Sequence, residues 1–239
     1  MRRVSPEIDT LLFDLDGTLI TRHPSSLDVF FRLVEHICRP PNPEAYRKTR
    51  QFVHYYWASS PEAARDIQKF GKFTPAFWEN YLARQCLAYG CSTHEAGEVA
   101  GELAPRWEDA YQPRTVVAPD VHPTLGTLRD TGYTLGLVSN RSLPFEGEIS
   151  ELGLEEYFAF SFTAGEVESW KPDKRIFDHA LNLAGSDPGR AAYIGDNYYA
   201  DILGAKKWGL YPVLIDRLDT FPDADCLVIK SLGDLLNSF

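Results

Sequence analysis

The chain predicts an α/β fold, a parallel sheet flanked by helices and interrupted by an inserted all-helical domain. Three observations carry this expectation. Short β-like runs bounded by turn signals alternate with helical stretches through the second half, the pattern of βα units that pair their strands in parallel. One further run stands near the N-terminus, at Thr10 to Phe13. The stretch separating it from the next run far exceeds the few dozen residues of an ordinary crossover, so something is inserted there.

Taken in order, Thr10 to Phe13 is nearly all apolar, as a strand buried on both faces should be. It runs into Asp14-Leu15-Asp16-Gly17-Thr18. Successive strand residues face opposite sides, so Asp14 and Asp16 would share one side if the strand persisted, while Gly17 lets the chain turn sharply. Residues 21 to about 112 carry no strand pattern but five helical blocks: Ser26 to Cys38, Pro43 to Trp57, Pro61 to Phe70, Thr74 to Gly90 and Thr93 to Tyr111. Ser25-Ser26, Asn42-Pro43, Ser60-Pro61, Thr74-Pro75 and Ser92-Thr93 supply the caps and first-turn prolines that start helices. Linkers are expected near Ile20 to Pro24 and Gln112 to Pro119. The division is therefore 1–20 plus 113–239 for the sheet domain and 21–112 for the helical insertion. The sheet domain resumes with a helix at Val121 to Asp130 and a strand at Tyr133 to Val138. A helix at Phe145 to Glu151, a strand at Ala159 to Thr163 and a helix at Arg175 to Ala184 follow. The last elements are a strand at Ala191 to Ile194, a helix at Asp201 to Trp208, a strand at Pro212 to Ile215 and a weaker one at Cys226 to Ile229.

With 239 residues and 44% apolar content the chain can bury a substantial core. Its 24 basic and 34 acidic residues leave a formal net charge of −10, which disfavours nucleic acid and anionic membranes as partners. An anionic substrate would need a metal or a placed lysine. Cys38, Cys86, Cys91 and Cys226 show no C-x-x-C spacing and read as reduced, buried thiols. Glu7, Asp9, Asp14 and Asp16 interrupt any leader-like apolar run after Met1-Arg2-Arg3, and no run nears the ~20 residues that span a bilayer, so a cytoplasmic location is expected. His36, His54, His94, His122 and His179 have no ligand spacing. Nothing in the sequence speaks to oligomeric state.

Three later features fall at strand ends or helix starts, where open α/β sheets bind ligands. Ser139-Asn140 closes the run Leu135 to Val138, Lys171-Pro172-Asp173 precedes a helix, and Gly195-Asp196 with Asp201 follows the run Ala192 to Ile194. Together with the first motif they resemble the haloacid dehalogenase superfamily, whose members carry a D-x-D-G-T loop, a Ser/Thr after the second strand, a Lys and a G-D-x-x-x-x-D loop in this order. The resemblance covers the sheet domain, and the insertion resembles that superfamily's helical cap of the first type (C1, subfamily IA-like). It implies a Rossmann-like core and a phosphatase acting on a small phosphate ester. By motif position, Asp14 is then the nucleophile that forms an aspartyl-phosphate, and Asp16 protonates the leaving oxygen and later activates water. Magnesium is implied at Asp14, the Asp16 backbone carbonyl, Asp196 and Asp201. Ser139 and Lys171 would hold and neutralise the phosphoryl group, with Thr18, Asn140 and Arg141 contacting substrate.

Other readings compete at particular positions. Arg141 is equally expected to pair with Glu146 or Glu148, and Asn197 either orients Asp196 or caps the next helix. Arg22 and His23 stand at the first hinge, where they read either as solvated linker residues or as groups that reach a leaving group. Helical spacing assigns Tyr55, Tyr56, Trp57, Phe73, Phe77, Trp78 and Tyr81 to the core of the insertion. A phosphomutase would use the same motifs, a dehalogenase would lack the acid at Asp16, and a phospho-Asp receiver would not place its nucleophile on the first strand.

Overall fold

A computed structural model describes residues 7–35, 37, 43–145 and 147–239. Cys38, His36, the Asn42 helix start and Glu146 lie outside the described residues. The chain divides into two compact units, Met1–Thr21 with Val116–Phe239, and Arg22–Thr115.

In the first unit, β1 (Thr10–Phe13) is followed by β2 (Ile20–His23), whose end passes into the second unit. The second unit holds α1 (Ser26–Val34), α2 (Pro43–Trp57), α3 (Pro61–Phe70), α4 (Pro75–Tyr89), α5 (Thr93–Leu103) and α6 (Trp107–Ala110). The chain returns through β3 (Arg114–Val117) to α7 (Val121–Asp130), β4 (Thr134–Ser139), α8 (Glu148–Glu151), β5 (Phe160–Thr163), α9 (Ala164–Val167) and α10 (Lys174–Ala184). It ends with β6 (Ala191–Gly195), α11 (Leu203–Lys207), β7 (Tyr211–Ile215) and β8 (Leu227–Ile229).

Six strands form one parallel sheet in the order β5-β4-β1-β6-β7-β8. This puts the first strand in the middle, with β4 on one side and β6 on the other. Alternation along the strands separates two cores. Leu11, Phe13, Leu135, Leu137 and Ile194 pack on one face with Leu125 and Leu128 of α7, whereas Leu12, Val138 and Tyr193 face Ile176, Phe177, Ala180 and Leu181 of α10. Each fully buried Leu, Ile or Phe contributes about 1.5–3 kcal/mol.

The second unit is built on α4, whose residues Leu82, Cys86 and Tyr89 pack with Phe30, Phe31 and Val34 of α1 and with Val99 and Leu103 of α5. The expected caps are present: Ser25 and Ser92 close capping boxes with Asp28 and Glu95, and Ser60 and Thr74 accept from Ala63 and Phe77 N–H groups ahead of Pro61 and Pro75. Tyr56, Phe77 and Tyr81 are core as expected. Phe73 and Trp78 are not: they stack on each other at 5.6 Å while staying exposed. At the unit's centre Arg84 donates two hydrogen bonds (2.6 and 2.8 Å) to buried Asp66, which also accepts from Tyr56 Oη at 3.0 Å.

Several expectations need correction. No strand is expected at either linker, yet the two linker segments hold β2 and β3, which pair with each other as a separate two-stranded sheet. The Thr93 to Tyr111 block breaks after Leu103 into a 3-10 turn, Ala104–Arg106, since Pro105 lacks the N–H an α-helix needs. The helix placed at Phe145 to Glu151 shrinks to one turn because Gly147, at φ +88°, starts it late. The helix placed at Asp201 to Trp208 begins earlier, as a π-turn at Tyr198–Ile202. The reduced-thiol reading fails for Cys91, which is disulfide-bonded, and Cys226 is only half-buried; pairing across the chain leaves no trace in local spacing. Among the described residues no helix is long and apolar enough to cross a membrane.

Candidate active site

The sheet order brings the sequence motifs together. Asp14 follows β1, Ser139 ends β4, and Gly195-Asp196 closes β6, so all three stand at the carboxyl edge of adjacent parallel strands, where the strand order reverses. Register makes the alignment tight: Phe13 is level with Leu137 and Ile194, and the Asp14 N–H donates to Ile194 O at 2.9 Å.

Lys171 is the hub. Its side chain is 1% exposed, and Nζ lies 2.6 Å from Asp14 Oδ1, 2.8 Å from Tyr193 Oη, 3.2 Å from Val138 O and 2.8 Å from Asp201 Oδ1. Burial opposes its charge, but Asp14 and Asp201 outweigh that and hold the ammonium protonated well above the usual lysine range. Asp14, also buried, is pushed up to about 7, mainly by desolvation, with the repulsion of Asp201 adding to it and the Lys171 charge opposing. Asp196 is raised well above the carboxylate range, first by burial and then by Asp14 and Asp201.

Carboxylate oxygens of Asp14, Asp196 and Asp201 lie within 4.8 Å of one another. Asp201 Oδ1 is buried and, although close to Lys171, out of line for a hydrogen bond from it. Three crowded acids, two of them pushed toward neutrality, and one unsatisfied oxygen fit an all-oxygen site for a hard divalent cation. Two glycines permit this crowding. A Cβ on Gly17, which sits at φ +84°, would lie 2.2 Å from Asp196 Oδ2, and one on Gly195 would lie 2.2 Å from Asp201 Oδ2.

The remaining expected residues fall into place less uniformly. Thr18 Oγ1 is 3.4 Å from Asp14 Oδ2, and buried Ser139 accepts at Oγ from the Arg141 N–H at 3.3 Å. Asn140 serves Lys171: its Oδ1 accepts from the Lys171 N–H (2.7 Å) and its Nδ2 donates to Lys171 O (3.1 Å), which pins that loop. The Asp16 side chain stands apart from the acid cluster and accepts two hydrogen bonds from Arg141, 2.7 Å from Nε and 2.8 Å from Nη2. Arg141 reaches Glu148 with Nη1. Asn197 takes the capping role, accepting from the Tyr199 and Ala200 N–H groups, while its own N–H donates to Asp201 Oδ2 at 2.9 Å. Arg22 donates to Thr115 Oγ1.

Two participants were missed. Tyr193 accepts from Lys171 and donates to Val138 O at 2.9 Å; its hydroxyl, lone in the apolar run of β6, was the available signal. Arg217, past β7, donates to Gly17 O (2.7 Å) and Thr18 O (3.0 Å) and so clamps the loop that carries Asp16. No local pattern marks it.

Residues 8–209 match the family model for haloacid dehalogenase-like hydrolases. The chain is 39% identical over 129 residues to human haloacid dehalogenase-like hydrolase domain-containing protein 3, a match spanning 51% of this chain and 51%, about half, of that relative's length. Similarity to the glyceraldehyde 3-phosphate phosphatase of Methanopyrus kandleri is 36% over 215 residues, covering 88% of this chain and 84% of the relative. Among solved structures, a HAD phosphatase from Thermococcus onnurineus shares the fold with a TM-score of 0.54 at 26% identity, covering 96% of this chain and 97% of that one.

Proposed function

Because the chain belongs to the haloacid dehalogenase-like hydrolases, we propose that it is a magnesium-dependent phosphatase of small phosphorylated metabolites. The observation that carries the reading is the buried Lys171 ammonium set between Asp14 and Asp201, with Asp196 beside them. A nucleophilic carboxylate, a fixed cation and a divalent-metal site are what transfer of a phosphoryl group needs. The names of the relatives, among them a pyrophosphatase of Bacillus pumilus and a phosphoserine phosphatase of Thermus thermophilus, support the same reaction class.

In this reading Asp14 attacks phosphorus as the ester oxygen leaves, giving an aspartyl-phosphate that water then cleaves. Lys171 neutralises charge between nucleophile and phosphoryl oxygens, Ser139 and the loop after Asp14 bind those oxygens, and Asp16 gives a proton to the leaving oxygen and later takes one from water. Asp14, Asp196 and Asp201, with the Asp16 backbone carbonyl, would hold magnesium, which would supply Lewis-acid charge for phosphate and nucleophile. Asn140, placed on the Lys171 loop, positions that lysine. The inserted helical unit then sets which ester is accepted, since the sheet-end groups address the phosphoryl group alone.

A screen of phosphorylated metabolites with magnesium, read as phosphate release, tests this. Asp14→Asn abolishes release and chelation suppresses it reversibly; turnover that survives either change overturns the proposal.

A further inference from the structure

Arg141 is held from three sides. Its guanidinium grips both oxygens of Asp16 at 2.7 and 2.8 Å and reaches Glu148 with the third nitrogen. The backbone beneath it is pinned as well: the Arg141 N–H donates to Ser139 Oγ, and its carbonyl accepts from the Gly165 N–H at 3.0 Å. Gly165 packs so closely on this loop that a Cβ there would lie 1.9 Å from Ser142 O. Opposite, Arg217 clamps the Gly17 and Thr18 carbonyls, fixing the loop that presents Asp16.

A guanidinium paired with two carboxylates is more than neutralised and leaves no net positive charge for a phosphoryl dianion. Its planar fork instead suits a fixed orientation of one carboxylate. We propose that Arg141 is a positioning residue for Asp16, not a phosphate ligand: it sets the direction of the acid/base carboxyl, and Glu148 keeps the guanidinium in place when Asp16 frees one oxygen for the proton. This rests on the phosphatase reading. In the step concerned, an Asp14 oxygen bonds to phosphorus, the bond from phosphorus to the ester oxygen breaks with its electron pair going to that oxygen, and the oxygen takes the proton from the Asp16 carboxyl.

Proton donation matters in proportion to the basicity of the leaving group, so misorienting the acid slows poor leaving groups selectively. The experiment measures kcat/KM, which contains the leaving-group step, for 2,4-dinitrophenyl, 4-nitrophenyl and phenyl phosphate with magnesium, in wild type, Arg141→Met and Arg141→Lys. Arg141→Met is expected to lose at least tenfold more on phenyl phosphate than on the dinitrophenyl ester, with Arg141→Lys in between because an ammonium cannot engage both oxygens as a fork. A uniform loss across the three esters, as a structural or phosphate-binding role would produce, overturns the proposal; so does an unchanged series. A folded Arg141→Lys showing the wild-type trend overturns it even if Arg141→Met fails to fold. Wild type that releases phosphate neither from these esters nor from any metabolite of the screen overturns the phosphatase reading itself, whereas wild-type turnover with a parallel series in the variants overturns only the role of Arg141.

Discussion

The acid cluster should make the stability of the metal-free protein fall as pH rises. Burial lifts Asp14 from 3.8 to about 7, so the folded state binds more protons than the unfolded chain between those values. A carboxyl raised in this way favours folding while it is neutral; that advantage is present below about pH 4 and is lost as pH climbs through about 7. At about 1.4 kcal/mol per pH unit the loss from Asp14 alone is about 4 kcal/mol over the whole span and about 3 kcal/mol between pH 5 and 8, and Asp196, displaced in the same direction, adds to it. For a domain of this size about 1 kcal/mol moves Tm by roughly 2–4 °C, so the chelated protein should lose on the order of 10 °C between pH 5 and 8. A divalent cation favours the ionised carboxylates. If magnesium occupies the proposed site, 100 times its dissociation constant should restore about 2.7 kcal/mol, with a larger effect at pH 8 than at pH 5. Differential scanning calorimetry with chelator or magnesium across this range measures both effects, and Asp14→Asn should flatten the decline. A chelated protein whose Tm is constant or rises from pH 5 to 8, or one indifferent to magnesium, would refute the electrostatic account of the site.

Gly17→Ala places a methyl 2.2 Å from Asp196 Oδ2 on a backbone at φ +84°; magnesium-dependent turnover should drop at least 100-fold, checked by phosphate release, while circular dichroism stays native. Asp66→Ala in the helical unit strips the carboxylate that Arg84 and Tyr56 address. It should cost about 3 kcal/mol in urea unfolding, since a half-buried guanidinium loses its counter-charge and the buried Tyr56 hydroxyl loses its acceptor.

What could be read in advance depended on how local each signal is. The central strands β1, β4 and β6 announce themselves because they are buried on both faces and must be largely apolar, and the caps at Ser60, Thr74 and Ser92 because a helix start needs an acceptor within three residues. The pairing of Ile20–His23 with Arg114–Val117 was illegible for the opposite reason. Each of those segments mixes polar and apolar residues, and only its partner makes it a strand. The disulfide at Cys91 and the early π-turn at Tyr198 likewise depend on neighbours rather than on composition.

The site divides the same way. Asp14, Asp16, Ser139, Lys171, Asp196 and Asp201 stand out by their types, their places at strand ends or helix starts and the order of the motifs they form, because a Gly-turned acid loop and an apolar run define where a side chain emerges whatever else surrounds it. Their partnerships came from the strand order. With β1 between β4 and β6, Lys171 reaches Asp14 across 157 residues of chain and Arg141 reaches Asp16 across 125. The same packing sets Asn140 against the Lys171 backbone and Arg141 against Asp16, and it brings in Tyr193 and Arg217, which no local pattern assigns. The residue types and their order along the chain thus determined which chemistry is present. Which side chains restrain one another was decided only by the tertiary structure, since hydrogen bonds act over about 3 Å of space and are indifferent to distance along the chain.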